Sequence, residues 1–131
     1  MIRKYKGHCH CKRINFNFFS EEIVTLLECN CSICAPYRYL HLIIENNKFS
    51  LNCNKDNLVS YKFRTKVADH LFCKYCGVKS FYKPASHPNS VSINYHSIVN
   101  PPHIKEIILF DGKDWEQAVK DLNVQKKNLS K

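Results

Sequence analysis

Apolar and polar residues alternate along much of this chain. Ile14, Phe16 and Phe18 are separated by Asn15 and Asn17, and Phe49, Leu51 and Cys53 by Ser50 and Asn52. The period recurs in Val59, Tyr61 and Phe63, with Ser60 and Lys62 between them, and in Val91, Ile93 and Tyr95, with Ser92 and Asn94 between them. A period of two sends successive side chains to opposite faces, so each run predicts a strand with one face in a core. Further strands are predicted over 23–28, 39–45, 69–73, 78–83 and 105–110, with loops at NNK, NKDN, KPASHPNS and NPPH, where Asn, Pro and Ser gather. One helix breaks the pattern. Trp115, Ala118, Val119 and Leu122 share a face at helical spacing, and Asp114 with Gln117 three residues on makes a capping-box sequence. The expectation is a mainly β single domain over 1–123 with one short C-terminal helix. The tail over 124–131 has too few apolar residues to pack and is expected to fray.

Composition narrows the setting. A chain of 131 residues suits a single core. Its runs LHLII and IILF are strand-sized, well short of the roughly 18 residues of a membrane span. The N-terminal MIRKYKGHCHC has charge but no apolar segment of a secretory signal. A reducing, cytoplasmic setting without a membrane partner is therefore expected, and there eight cysteines read better as metal ligands than as disulfides.

The net charge of +9 is uneven: residues 1–13 carry five Lys or Arg and no acid, and residues 61–83 carry six against Asp69 alone. That balance invites a nucleic-acid or acidic protein partner. Two observations weaken the invitation. Seven thiolates holding two zinc ions would bring the charge to about +6, and bases that alternate with apolar residues, as in Tyr61-Lys62-Phe63-Arg64, suit a solvated sheet face.

The cysteines fall into a C-x-C at 9 and 11, a C-x-C-x-x-C at 29, 31 and 34, a C-x-x-C at 73 and 76, and a lone Cys53. Cys73 and Cys76, followed by Gly77, form a zinc-knuckle sequence, the glycine being free to take the positive φ that leaves such a turn. A knuckle offers two ligands, and Cys9 and Cys11, two apart in extended chain, offer two more from one face. Closing so long a loop with a metal would stabilise the fold considerably. Spacing alone does not say which pair joins which group, and disulfides remain an alternative. Cys53 follows Phe49 and Leu51 on the alternation, which favours a buried free thiol over a ligand. By elimination Cys29, Cys31 and Cys34 give three sulfurs with a fourth position open, the layout of catalytic rather than structural zinc.

GHCHC at 7–11, CNCSIC at 29–34, FCKYCGVKSFY at 72–82 and DGKDWE at 111–116 together resemble the glutathione-dependent formaldehyde-activating enzyme family, particularly the branch containing centromere protein V. The resemblance spans about residues 5–122. It implies a zinc-bound β-tent fold, in which small antiparallel sheets are held by a zinc knuckle, with two zincs per chain. It also implies a structural zinc on Cys9, Cys11, Cys73 and Cys76 and a second, open zinc on Cys29, Cys31 and Cys34. The activity implied is a carbon–sulfur lyase reaction run in reverse, condensing glutathione with formaldehyde to S-(hydroxymethyl)glutathione, or the same chemistry on a related thiol adduct. His10, His70 and His96 lie in or near the motifs and are candidates for a proton donor. Tyr37 and Arg38, in the loop APYRYLHL, are candidates for meeting a glutathione carboxylate. The alternative is a zinc-stabilised basic module without catalysis.

Overall fold

The computed structural model describes residues 1–63, 68–114 and 116–122. Three small sheets make up the molecule. The first has the order β10-β1-β2-β5, built from β1 (Ile2–His8), β2 (Asn15–Glu21), β5 (Phe49–Leu51) and β10 (Ile98–Val99). The second has the order β11-β3-β4-β9-β8, from β3 (Ile23–Cys29), β4 (Leu40–Glu45), β8 (Phe81–Tyr82), β9 (Ser90–Asn94) and β11 (His103–Phe110). The third is a ribbon of β6 (Leu58–Tyr61) and β7 (His70–Cys73). Pairing is antiparallel except between β3 and β11, which run parallel with Phe110 opposite Cys29.

The predicted alternation fills the core. Ile14, Phe16 and Phe18 are buried with Leu26, Ile44, Phe81, Val91 and Ile93, and Phe49, Leu51 and Cys53 pack on them half-buried. Phe16 meets Phe81 edge-on at 5.6 Å and Phe49 at 5.4 Å, so strands of both sheets interlock through aromatic rings. Cys9 and Cys73 belong to this same cluster.

Four expectations need correction. Val59 and Tyr61 face solvent, 38% and 52% exposed, because β6 belongs to a two-stranded ribbon with no layer over that face. Phe63 instead stacks on Tyr61 and His70. Ser92 and Asn94, expected on a wet face, are buried because β9 is an interior strand covered on both sides. The strand expected over 78–83 shortens to Phe81–Tyr82. The capping box is not formed as written: Asp114 closes a 3₁₀ turn, and the Gln117 amide donates forward to Asp121 at 2.9 Å rather than back to the helix start.

The helix over 116–122 buries Ala118 and Leu122 against Leu27 and Phe110. Trp115, Arg64 and Lys66, and the tail, lie outside the described residues. No helix among those described is long and apolar enough to cross a membrane. The N-terminal strand β1 was not expected, because Ile2-Arg3-Lys4-Tyr5-Lys6 offers no apolar alternation: along it only Gly7 is buried.

Candidate metal centres

The first centre forms where two turns meet. Past β1 the chain reverses through Cys9–Ile14, closed by Cys9 N–H donating to the Ile14 carbonyl (3.0 Å) and Lys12 N–H to the Cys9 carbonyl (3.2 Å). Lys12 sits at φ 68°, a left-handed conformation uncommon for a non-glycine residue. Opposite it, β7 ends in the knuckle, where Gly77 takes φ +75° and its N–H donates to the Cys73 carbonyl at 2.9 Å. The sequence expectation for Gly77 holds. Backbone N–H groups also point at sulfur: Ile14 to Cys9 (3.4 Å), and Tyr75 and Cys76 to Cys73 (3.4 and 3.5 Å).

The sulfurs of Cys9, Cys11, Cys73 and Cys76 all lie within 4.8 Å of one another. Cys11 is 3.6 Å from both Cys9 and Cys73. A tetrahedron with Zn–S bonds of about 2.3 Å has edges of about 3.8 Å, so the donor set fits zinc. Burial pushes the Cys9 thiol up to about 12, which a cation between the sulfurs would reverse. All eight cysteines are free, so no disulfide competes for them.

The second centre is made by one loop and clamped by another. Beyond β3, Cys31 accepts from Cys34 N–H (3.4 Å), and its carbonyl accepts from Ala35 N–H (3.0 Å). The clamp is the segment after β11, which the parallel pairing delivers beside Cys29. Asn30 donates to the Asp111 carboxylate (3.1 Å), and Lys113 N–H donates to the Asn30 side-chain oxygen (3.3 Å). Gly112 is buried here because nothing larger fits. A Cβ on it would lie 2.5 Å from the Cys29 sulfur and 2.7 Å from Cys31 Cβ. The sulfurs of Cys29, Cys31 and Cys34 lie within 4.8 Å of one another. Their hydrogen bonds hold the Cys31 thiol far below its ordinary range and drive Cys34 far above it. Three sulfurs this close share one negative charge unless a cation joins them, and an all-thiolate set suits a thiophilic ion such as zinc. Cys53 belongs to neither group.

Beside this centre opens a cleft of about 910 Å³, whose wall includes Cys29, Asn30, Arg38, Tyr39, His96 and Leu109. That volume accommodates a ligand of tripeptide size. Arg38 reaches the wall from a strained position, φ 49°, just after the 3₁₀ turn Ala35–Tyr37.

Residues 4–110, which contain both sulfur groups, match the family described as glutathione-dependent formaldehyde-activating enzyme. The chain belongs to this family. Membership supports a glutathione-related role in formaldehyde chemistry, with that thiol as the small-molecule partner. The fold is similar to the crystal structure of a Rhodobacter sphaeroides protein, with a TM-score of 0.65 and 26% identity, covering 73% of this chain and 91% of that one.

Around the three-sulfur group, the predicted residues separate clearly. His96 and Arg38 line the cleft together with Cys29. Tyr37 is not in that wall and is 48% exposed. His10 is exposed in the turn between Cys9 and Cys11, beside the other centre. His70 is buried, stacked on Tyr82 at 4.8 Å, and accepts from the Lys79 ammonium at 2.7 Å. Burial and the nearby Lys79 charge depress its pKa to about 4.

Two residues of this neighbourhood escaped the sequence reading. His41, buried in β4, has the Ser92 hydroxyl 2.8 Å and the Tyr82 hydroxyl 3.3 Å from Nδ1, while Nε2 has no hydrogen-bond partner among the described residues. Burial first, then Lys79, lowers its pKa to about 3, so it is a neutral imidazole. Lys79 is 2% exposed. Parity did not single it out: Lys79 shares the parity of Phe81, yet Ser80 on the other parity is equally buried. The basic surface is partly engaged internally, with Arg13 lying 4.3 Å over the Tyr75 ring and Arg3 paired with Glu22.

Proposed function

We propose that the chain is a zinc-dependent carbon–sulfur lyase-type enzyme of the S-(hydroxymethyl)glutathione synthase kind, in the branch of the family containing centromere protein V. The observation that carries this reading is the second centre: three converging sulfurs, no fourth cysteine in the group, and Cys29 in the wall of a cleft of tripeptide size. The FCKYCGVKSFY and DGKDWE motifs support the branch. The cytoplasm, which keeps thiols reduced, is the compartment this chemistry needs.

Cys29, Cys31 and Cys34 would hold the catalytic zinc, and Cys9, Cys11, Cys73 and Cys76 the structural one. Zinc at the open centre supplies a Lewis acid that favours the thiolate form of an incoming thiol. The chain's own residues bind and orient. Arg38 offers a bidentate guanidinium to a carboxylate of glutathione. The cleft holds the thiol and formaldehyde together, and proximity is most of what the enzyme need add, since thiols attack formaldehyde unaided. The sulfur forms a bond to the carbonyl carbon, the carbon–oxygen π pair moves to oxygen, and the resulting alkoxide takes a proton. His96 is the histidine in the cleft wall, and we assign it that proton transfer. In the reverse direction the hydroxyl loses its proton, the carbon–sulfur bond breaks, and formaldehyde leaves.

The test is the exchange rate between free glutathione and its hydroxymethyl adduct, followed by NMR with formaldehyde present. Wild type should exceed the uncatalysed rate, His96→Gln should retain part of the gain, and Cys31→Ser should fall to background. A Cys31→Ser protein as fast as wild type would sink the reading.

A further inference from the structure

A buried ammonium is costly unless something compensates its charge. Lys79 is 2% exposed, yet the ion pairs among the described residues, Met1 with Glu21 and Arg3 with Glu22, do not involve it. Its ammonium donates to the neutral His70 ring at 2.7 Å and lies over the faces of two aromatic rings, 3.9 Å from the Tyr82 centroid and 5.3 Å from that of Tyr39. Those contacts are favourable but carry no net negative charge. Tyr39 and Tyr82, however, form one buried cluster with Cys34, against which Cys29 and Cys31 pack. The ammonium and the three sulfurs therefore sit around the same pair of rings.

The position is built rather than incidental. The Asn94 amide donates to the Lys79 carbonyl at 3.0 Å, and Asn94 N–H donates to the Ser80 carbonyl at 2.8 Å, which fixes the backbone at Lys79 and just after it.

We propose that Lys79 is the counter-charge of the three-sulfur centre and tunes it to accept a thiolate, rather than a neutral group, as fourth ligand. This rests on the metal-centre reading above. Three thiolates around a divalent ion leave one negative charge, and a fourth thiolate leaves two. Two uncompensated charges in a half-buried site are expensive, and a fixed cation behind the centre removes one of them. A neutral ligand gains nothing from it. Burial draws the Lys79 pKa down to about 8 while Cys34, Cys31 and Cys29 oppose that fall, so the group is mostly ammonium at neutral pH. Lys79 is a positioning and charge-balancing residue here, with no step of bond making assigned to it.

The experiment compares zinc-loaded wild type, Lys79→Met and Lys79→Arg at neutral pH. Zinc per chain is counted, and binding of glutathione and of S-methylglutathione, whose thioether is neutral, is measured by calorimetry. Lys79→Met should lose at least about tenfold in glutathione affinity, Lys79→Arg should keep most of it, and S-methylglutathione should distinguish the proteins little. Lys79→Met that keeps two zincs and wild-type affinity overturns the proposal and leaves the metal-centre reading standing. One zinc in wild type overturns both. Should Lys79→Met not fold, the Lys79 side chain is titrated by NMR in wild type. Glutathione must then raise its pKa, and an unchanged value overturns the proposal.

Discussion

The two sulfur groups use the same donor atom and differ in what lies behind it. Behind the four-sulfur group is hydrocarbon: Cys9 and Cys73 are members of the cluster that contains Phe16, Phe81 and Ile93. Behind the three-sulfur group are polar side chains in apolar confinement: Tyr39, His41 and Tyr82, hydrogen-bonded through Ser92, and the Lys79–His70 pair against the Tyr82 ring. The glycines differ in the same sense. Gly77 serves the first group by its backbone angle, and Gly112 serves the second by leaving room for sulfur. Ligand identity is shared, so surroundings decide whether a site staples or reacts.

The largest expected break in that comparison comes from the staple. Cys73→Ser should remove one zinc and lower the melting temperature by more than about 10 °C, because metal binding there is folding energy. A melting temperature within a few degrees of wild type would make the four-sulfur group dispensable to the fold. Gly112→Ala should act on the other group, forcing the Cys29 sulfur from its place. Zinc at the second site should weaken by about tenfold or more in competition with a chelator, with a modest effect on melting. Equal loss at both sites would mean that the clamp is not specific.

The pH dependence of stability sharpens the contrast, since the polar backing belongs to one site. His41 and His70 are held neutral, at about 3 and about 4 against an ordinary 6.5. As pH falls the unfolded chain takes up these protons first. Their contribution is therefore complete above about pH 6.5 and is lost as pH falls through the folded values. His41→Gln should flatten the stability profile below pH 6.5 relative to wild type, by on the order of 3 kcal/mol at pH 4. Denaturant unfolding of the two proteins at matched pH measures this, and parallel profiles would show that His41 is not held neutral. Smallest of all, Cys53→Ser should leave zinc content unchanged and cost only about 1 kcal/mol, as a half-buried thiol packed on the core.

Legibility in the sequence followed the strength of the local signal. Ile14, Phe16 and Phe18 announced β2 because one face of that strand is core and the other is not. β1 was silent because its pairing with β2 is a matter of backbone, its side chains being largely exposed. The cysteine spacing offered the groups and the resemblance implied their partition; the structure gathers the sulfurs in two clusters, of four and of three. His41 and Lys79 stayed hidden because a buried polar side chain looks like any other on the alternation, and its partners come from distant strands. The DGK clamp was equally hidden: the parallel pairing of β11 with β3 joins residues some eighty positions apart.

Zinc per chain by elemental analysis separates a second centre of three protein sulfurs and one open position from one that is closed or empty. Wild type should carry two zincs, Cys31→Ser one and Cys53→Ser two, following the two sulfur groups. One zinc in wild type, or a zinc lost with Cys53→Ser, would contradict the account.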